Sequence, residues 1–155
     1  MKKLPFLLLP VLPVLLASCA GKSAAPAAVA AVKLQPFSPE NETESLKIST
    51  VFADGFAAAV KAGDFKFWRQ VLPEHIAAKI SPEIFQKMCR ELETGFGKLE
   101  SAAFFGTLQN GNLRDNLWKL RFVKDGKVRE VLYLVRVYCR ENGTPEISGF
   151  GIRRF

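Results

Sequence analysis

Histidine and cysteine, side chains that often ligate transition metals, are scarce in this chain. The chain has 155 residues, with one histidine and three cysteines, and the cysteines do not stand in a metal-ligand spacing. The sequence also lacks a glycine-rich phosphate loop, a nucleophile elbow, a His-Glu metal motif and a repeated cysteine pair. These absences argue against a zinc site and predict no cofactor, and no motif favours catalysis.

A long uninterrupted apolar segment is missing as well. The longest apolar run covers residues 4–17 and contains three prolines. A membrane-spanning helix needs about 20 apolar residues, and each interior proline costs a helix roughly 3 kcal/mol. Because two lysines precede this short run, it is typical of a secretory signal peptide. We therefore expect the chain to be exported.

The apolar run ends in Leu16-Ala17-Ser18-Cys19, which resembles the lipobox of bacterial lipoproteins. In a lipobox, small residues admit the extended chain to a narrow protease cleft, and the cysteine thiol accepts a diacylglycerol thioether. The resemblance implies cleavage after Ser18 and attachment to the membrane through acyl chains on Cys19. Because Ala20 follows instead of an aspartate, it also implies the outer membrane, on its periplasmic face, in preference to the inner membrane.

The composition changes after the cysteine and again near residue 46. Residues 20–45 are mostly small and proline-punctuated and have no sustained apolar period, so they bury too little surface to offset their ordering entropy. The predicted organisation is a lipoprotein signal peptide over 1–18, a lipidated cysteine with a flexible Ala/Pro-rich tether over 19–45, and one domain over 46–155.

The net charge is +7, and most of the basic excess lies in the second half of the domain. Export and the lack of interleaved aromatic and basic residues argue against nucleic acid as a partner. Two interpretations remain open. The basic residues either form a solvated surface without a partner, or they attract anionic lipid head groups or cell-wall polymers.

Apolar residues recur with helical spacing up to residue 97 and alternate beyond it. The pattern predicts about three helices, the first over 46–62, the second over 64–72 and the third from Ser81-Pro82-Glu83 to 96, with a short helical turn after Pro73. Four strands follow over 98–109, 117–123, 129–139 and 146–155, separated by turns that include Asp125-Gly126. The predicted fold class is α+β, with helices packed on one face of a four-stranded antiparallel sheet.

The order and proportions of these elements resemble the nuclear-transport-factor-two-like, or cystatin-like, superfamily. The stretches "KAGDF", "FGKLES" and "ISGFGI" carry the resemblance, which covers residues 46–155. It implies a curved, cone-like sheet with a pocket between sheet and helices. The enzymatic members of the superfamily place an aspartate, or an aspartate–histidine pair, in that pocket.

Several side chains are candidates for such a pocket, each with a structural alternative. His75 is either a general base, paired with Asp54 or Glu74, or a surface histidine. Trp68, Trp118 and Tyr133 either line a ligand cavity or belong to the core.

Cys89 and Cys139 either form a disulfide in an oxidising compartment or are two buried free thiols.

Together, the lipobox resemblance and the lack of catalytic motifs predict a non-catalytic, lipid-anchored binding or interaction domain of the cell envelope. Its partner would be a small apolar ligand or an envelope protein. The alternative function is a pocket enzyme of the isomerase or dehydratase type.

Overall fold

The computed structural model describes residues 34–154 of the chain. The predicted signal peptide, Cys19 with its predicted acylation, and the first part of the predicted tether lie outside these residues. The described part contains four helices and four strands in the order α1 (Pro39–Ala62), α2 (Lys66–Arg69), α3 (Glu74–Ala77), α4 (Pro82–Phe96), β1 (Lys98–Asn110), β2 (Leu113–Lys124), β3 (Lys127–Cys139) and β4 (Pro145–Arg154). The α+β class is therefore confirmed, whereas the predicted count of about three helices is not.

Helix α1 is the long helix that lies against the sheet. It begins after Ser38, whose hydroxyl accepts a hydrogen bond from the Asn41 amide, and it ends at Gly63, which adopts a left-handed conformation with φ 65°. Its buried face carries Phe52 and Phe56. The helix starts seven residues before the predicted domain boundary, so residues 39–45, predicted as tether, belong to α1.

Helix α4 is the second long helix, and its two ends are held differently. Ser81 accepts a hydrogen bond from the Ile84 amide at the start, as predicted for a hydroxyl N-cap. The last turn contains no basic residue. Instead, Lys124 and Arg129 from the β2–β3 hairpin donate to the carbonyl oxygens of residues 94 and 95. These two cations compensate the negative end of the helix dipole from outside the helix.

The four strands form one antiparallel sheet in the order β1-β2-β3-β4. Asp125 and Gly126 both take positive φ values, 53° and 69°, so the predicted hairpin turn is present. The turn between β1 and β2 is shorter than predicted, because β2 begins at Leu113 rather than at residue 117. The additional strand residues include Asn116, which is fully buried.

Side chains alternate across the sheet as the sequence predicts, and one face meets the helices. Leu120 and Phe122 on β2 and Val135 on β3 are fully buried, whereas Arg121 is exposed. Against this inward face pack Phe52 and other apolar residues of α1. The core therefore lies between α1 and the sheet.

A polar cluster is enclosed in this core. The Asn116 side-chain nitrogen lies 2.9 Å from Ser49 Oγ and 3.2 Å from Ser45 Oγ, and its oxygen accepts a hydrogen bond from Thr107 Oγ1 at 2.8 Å. Since a buried amide that is fully hydrogen-bonded avoids the cost of desolvation, the cluster fixes the position of α1 along β1 and β2.

Candidate functional site

The apolar concavity between α1, the segment that joins α2 to α3, and the start of β4 is termed the α1–β4 groove. Its volume is about 480 Å³, within the range of small-molecule sites. Seven of its ten lining residues are apolar, and they are Ile48, Val51, Val71, Leu72, Pro73, Pro145 and Ile147. The remaining three, Lys47, Gln70 and Glu146, supply polar groups.

A glycine in α1 allows the wall of this groove to form. A Cβ atom at Gly55 would lie 2.6 Å from Val71 Cγ2, which is closer than real Cβ contacts come. The segment after α2 can approach α1 this closely because residue 55 has no side chain. Leu72 and Ile147 are buried beneath the groove, whereas Val51 is about half exposed. The groove thus has a fixed floor and an accessible apolar wall.

Glu146 lies at one end of the groove in a cluster with three other polar side chains. Its Oε2 accepts a hydrogen bond from Tyr138 Oη at 2.7 Å and another from Arg140 Nε. Its Oε1 is 3.6 Å from His75 Nδ1, which is longer than a hydrogen bond. The hydrogen bond from Arg140 lowers the pKa of the Glu146 carboxyl below its ordinary value, with a smaller contribution from Tyr138.

The pKa values of Tyr138 and Arg140 in this cluster are shifted as well. Partial burial raises the pKa of the Tyr138 phenol, and the Glu146 carboxylate adds to the effect. The hydrogen bond to Glu146 raises the pKa of Arg140, so that pair stays ionic across the ordinary pH range. The cluster therefore presents one carboxylate oxygen, Glu146 Oε1, that is not used by Tyr138 or Arg140.

The structure brings His75 to Glu146 instead of to the carboxylates predicted as its partners. Asp54 and Glu74 are both exposed, and in the described part of the chain no hydrogen bond or ion pair joins either of them to His75. The imidazole itself is 42% exposed. Glu146 was missed by sequence analysis because it meets His75 only through the packing of α3 against the start of β4, which no local pattern encodes.

The aromatic candidates lie in the core and do not line the groove. Tyr133 stacks on Phe56 with ring centroids 4.5 Å apart, and Trp68 meets Phe56 edge-on at 5.0 Å. Both Trp68 and Tyr133 are fully buried, and Trp118 is 2% exposed. Burial raises the pKa of the Tyr133 phenol well above its ordinary value, so this group stays neutral.

Two polar atoms of these aromatic residues are buried without a hydrogen-bond partner among the described residues. They are Trp68 Nε1 and Tyr133 Oη. Leaving such a group unsatisfied costs about 1–3 kcal/mol. The rings remain inside because each contributes a large apolar area to the core.

The two cysteines of the domain are free thiols. Cys139 is buried at the end of β3, where its sulfur accepts a hydrogen bond from Asn41 Nδ2 at 3.2 Å. Cys89 is partly buried in α4 and lines a separate concavity of about 420 Å³ near the ends of α1 and α4. Desolvation raises the pKa of the Cys89 thiol, which lowers its reactivity as a nucleophile.

No protein-family model, curated protein or solved structure matches this chain. None of the helices within residues 34–154 is long and apolar enough to cross a membrane. The same residues contain no group of three histidine, cysteine or acidic side chains arranged to hold a metal ion.

Proposed function

We propose that this protein is a lipid-anchored domain of the cell envelope that binds a small, mostly apolar molecule without transforming it. The observation that supports the proposal is the α1–β4 groove, with its apolar walls and its volume of about 480 Å³. Sites for small molecules are typically concave and mostly apolar, with a few polar groups that fix the orientation of the ligand. The groove has both properties.

The polar end of the groove indicates what the ligand carries. Glu146 Oε1 accepts no hydrogen bond from Tyr138 or Arg140 and lies 3.6 Å from His75 Nδ1, while Oε2 already accepts two hydrogen bonds. Because the pKa of this carboxyl is lowered, it is ionised at neutral pH and prefers a hydrogen-bond donor. The ligand class is therefore an apolar molecule with a hydroxyl, an amine or an N–H group at one end.

The same carboxylate favours binding over acid–base catalysis. A general acid or base works best when its pKa lies near the operating pH. The neighbours of Glu146 move its pKa in the opposite direction, below the ordinary value of 4.5. This electrostatic setting supports a binding role over the isomerase or dehydratase alternative.

The proposed location at a membrane of the cell envelope depends on the lipobox resemblance of residues 16–19. Acylation of Cys19 would attach the domain permanently to a membrane, because two or three acyl chains bury many methylenes at about 0.8 kcal/mol each. We expect Cys19→Ala to abolish the incorporation of labelled palmitate and to leave an unprocessed precursor. Normal labelling of the variant would contradict the anchor.

The finer description of the fold is part of this proposal. We propose that the sheet curves around α1 in the cone-like manner of nuclear-transport-factor-two-like domains. Register shifts at Leu99/Ser101 and Phe104/Gly106 in β1, and at Arg136/Val137 in the β3–β4 pair, support the curvature. An extra residue in one strand bends that strand and increases its twist.

A fluorescence titration with N-phenyl-1-naphthylamine, a neutral apolar probe with one N–H donor, tests the binding function. We expect saturable binding by the full chain and at least a tenfold loss in Val51→Asp, which places a charge on the apolar wall. Ile84→Asp is the matched control, because Ile84 on α4 is 53% exposed, Val51 is 52% exposed, and Ile84 does not line the groove. The absence of saturable binding, or equal losses of affinity in the two variants, would refute the groove as the binding site.

A further inference from the structure

One end of the sheet carries a dense group of basic side chains. This end contains the Asp125-Gly126 turn between β2 and β3 and is termed the hairpin end. Lys124 on β2 faces Lys127 on β3, and Lys98 begins β1 beside this hairpin. The basic side chains of the hairpin end are Lys61, Arg90, Lys98, Lys124, Lys127 and Arg129. Only two acidic side chains, Glu93 and Asp125, lie among these six, so positive charge predominates there.

Four of these six cations are exposed and unpaired. Within residues 34–154, no ion pair or side-chain hydrogen bond involves Lys61, Arg90, Lys98 or Lys127. The other two, Lys124 and Arg129, donate to carbonyl oxygens at the end of α4. Because like charges that face each other on neighbouring strands are destabilising, an anion at the Lys124–Lys127 pair would stabilise the hairpin.

The opposite end of the sheet, where turns follow β1 and β3, is termed the turn end. Its cations already have carboxylate partners. Arg114 lies 3.2 Å from the Glu42 carboxylate, and Arg140 is paired with Glu146. The positive charge that is available to a partner outside the domain is therefore at the hairpin end.

The chain leads toward Cys19 from the turn end. The carbonyl oxygen of Leu34 accepts a hydrogen bond from Asn112, and the Gln35 amide donates to the Cys139 carbonyl at 3.1 Å. Strand β2 has 12 residues, so the two ends of the sheet are about 40 Å apart along the strand. Since the Debye length at physiological ionic strength is about 8 Å, head groups of a membrane at the turn end would be screened from the hairpin end.

We propose that the hairpin end binds the carboxylate groups of a cell-wall polymer. The domain would then connect the membrane that holds Cys19 to the wall, with its acidic turn end toward the membrane. This inference rests on the proposed location in the cell envelope. It adds a macromolecular partner and a second binding surface, because the residues of the hairpin end do not line the α1–β4 groove.

The shape of the hairpin end favours a branched polymer over a flat layer of head groups. Lys61 of α1, Arg90 of α4 and Lys98 of β1 line the concavity of about 420 Å³ described above. A carboxylate on a short branch of a polymer can enter this concavity and reach cations from three elements. A flat membrane surface would contact only its rim.

The affinity would come from several weak contacts made together. An exposed ion pair contributes only about 0–1 kcal/mol. A polymer with repeated carboxylates holds many such groups close to one another, so each contact raises the effective concentration of the next. Binding of this kind falls as salt screens the charges.

Co-sedimentation of the full chain, in a nonionic detergent, with purified cell-wall sacculi tests this proposal. We expect the chain to sediment with the sacculi at low salt, with an apparent dissociation constant at least about tenfold larger at 300 mM than at 50 mM NaCl. Sacculi whose carboxylates have been converted to amides should bind at least about tenfold more weakly. This last comparison uses the unmodified chain, so it does not depend on the folding of a variant.

A matched pair of double variants locates the surface. Lys98→Glu with Lys127→Glu should weaken binding at least about tenfold. Arg69→Glu with Lys79→Glu changes the net charge equally at exposed residues outside the hairpin end, and it should leave the affinity within about threefold. Melting temperatures check that all four substitutions leave the fold intact.

Three results would overturn the proposal. They are a lack of binding at 50 mM NaCl, equal losses in the two double variants, and binding to vesicles of phosphatidylglycerol without binding to sacculi. Because the sacculi are purified, none of these results depends on the acylation of Cys19 or on a ligand in the groove. Palmitate labelling and the N-phenyl-1-naphthylamine titration test those two proposals separately.

Discussion

Trp118 offers a quantitative test of the inward face of β2. Its side chain is 2% exposed, and its ring meets Phe104 edge-on at a centroid distance of 5.6 Å. An aromatic side chain buries about 150–250 Å², which corresponds to roughly 4–6 kcal/mol at about 25 cal/mol per Å² as an upper bound. Measured losses for aromatic-to-alanine changes in cores are about 3–5 kcal/mol.

The surroundings of Trp118 place the expected loss in the lower part of that range. Phe104, its aromatic neighbour, is 48% exposed, so the site can relax or admit water after truncation. We therefore expect Trp118→Ala to lower the free energy of unfolding by about 3–4 kcal/mol. That is a large fraction of the 5–15 kcal/mol typical of a domain.

Lys119 is the matched control because it is the next residue and points to the face of the sheet opposite the helices. Its ammonium lies 3.3 Å from the Glu130 carboxylate and 5.3 Å from the centre of the Phe105 ring. Exposed interactions of these kinds contribute at most about 1 kcal/mol each. Lys119→Ala should therefore cost about 2 kcal/mol at most, which is less than the loss expected for Trp118→Ala. Urea unfolding followed by circular dichroism measures both variants, and similar losses in the two would refute the assigned strand faces.

Three other substitutions test separate parts of the structure. Asn116→Ala should lower the free energy of unfolding by about 2–3 kcal/mol in urea melts, because it leaves buried hydroxyls without their amide partner; an unchanged midpoint would refute the buried cluster. Gly55→Ala should cost about 1–3 kcal/mol and weaken probe binding, because its methyl group displaces Val71 from the groove wall, whereas Gly95→Ala should not destabilise the protein. The folded-state pKa of Glu146 is lowered, so its stabilising contribution is complete above the ordinary value of 4.5 and is lost as the pH falls through the lowered value. Acid titration of stability should therefore show a shallower decline in Glu146→Gln, and identical curves would contradict the ionic cluster.

Local signals in the sequence predicted the elements whose ends are fixed by nearby residues. Ser81-Pro82-Glu83 predicted the start of α4, and Ser38-Pro39-Glu40 has the same pattern at the start of α1. The two caps are nearly identical, with φ and ψ of −86° and 164° at Ser38 and −85° and 163° at Ser81. The start of α1 could therefore have been predicted, but the small, proline-rich residues before it suggested that the tether continued.

Tertiary contacts explain what the sequence did not predict. Asn116 lies in a polar stretch that resembles a turn, and only its contacts with α1 make it a buried strand residue. The pairing of Glu146 with His75 joins residues from α3 and β4, far apart in the chain. Periodicity specifies which face of an element is apolar, but it does not specify which polar residues meet between elements.

The neighbour-to-neighbour strand order has a consequence for how the chain folds. Each strand pairs with the next one along the chain, so every pairing closes only a short loop and loses little chain entropy. The contacts of Asn116 with Ser45 and Ser49 join residues 71 and 67 positions apart, so they close much longer loops. We expect the hairpins to form before α1 docks on them. The Asn116 contacts should then be weak in the folding transition state, and their loss should accelerate unfolding more than it slows folding.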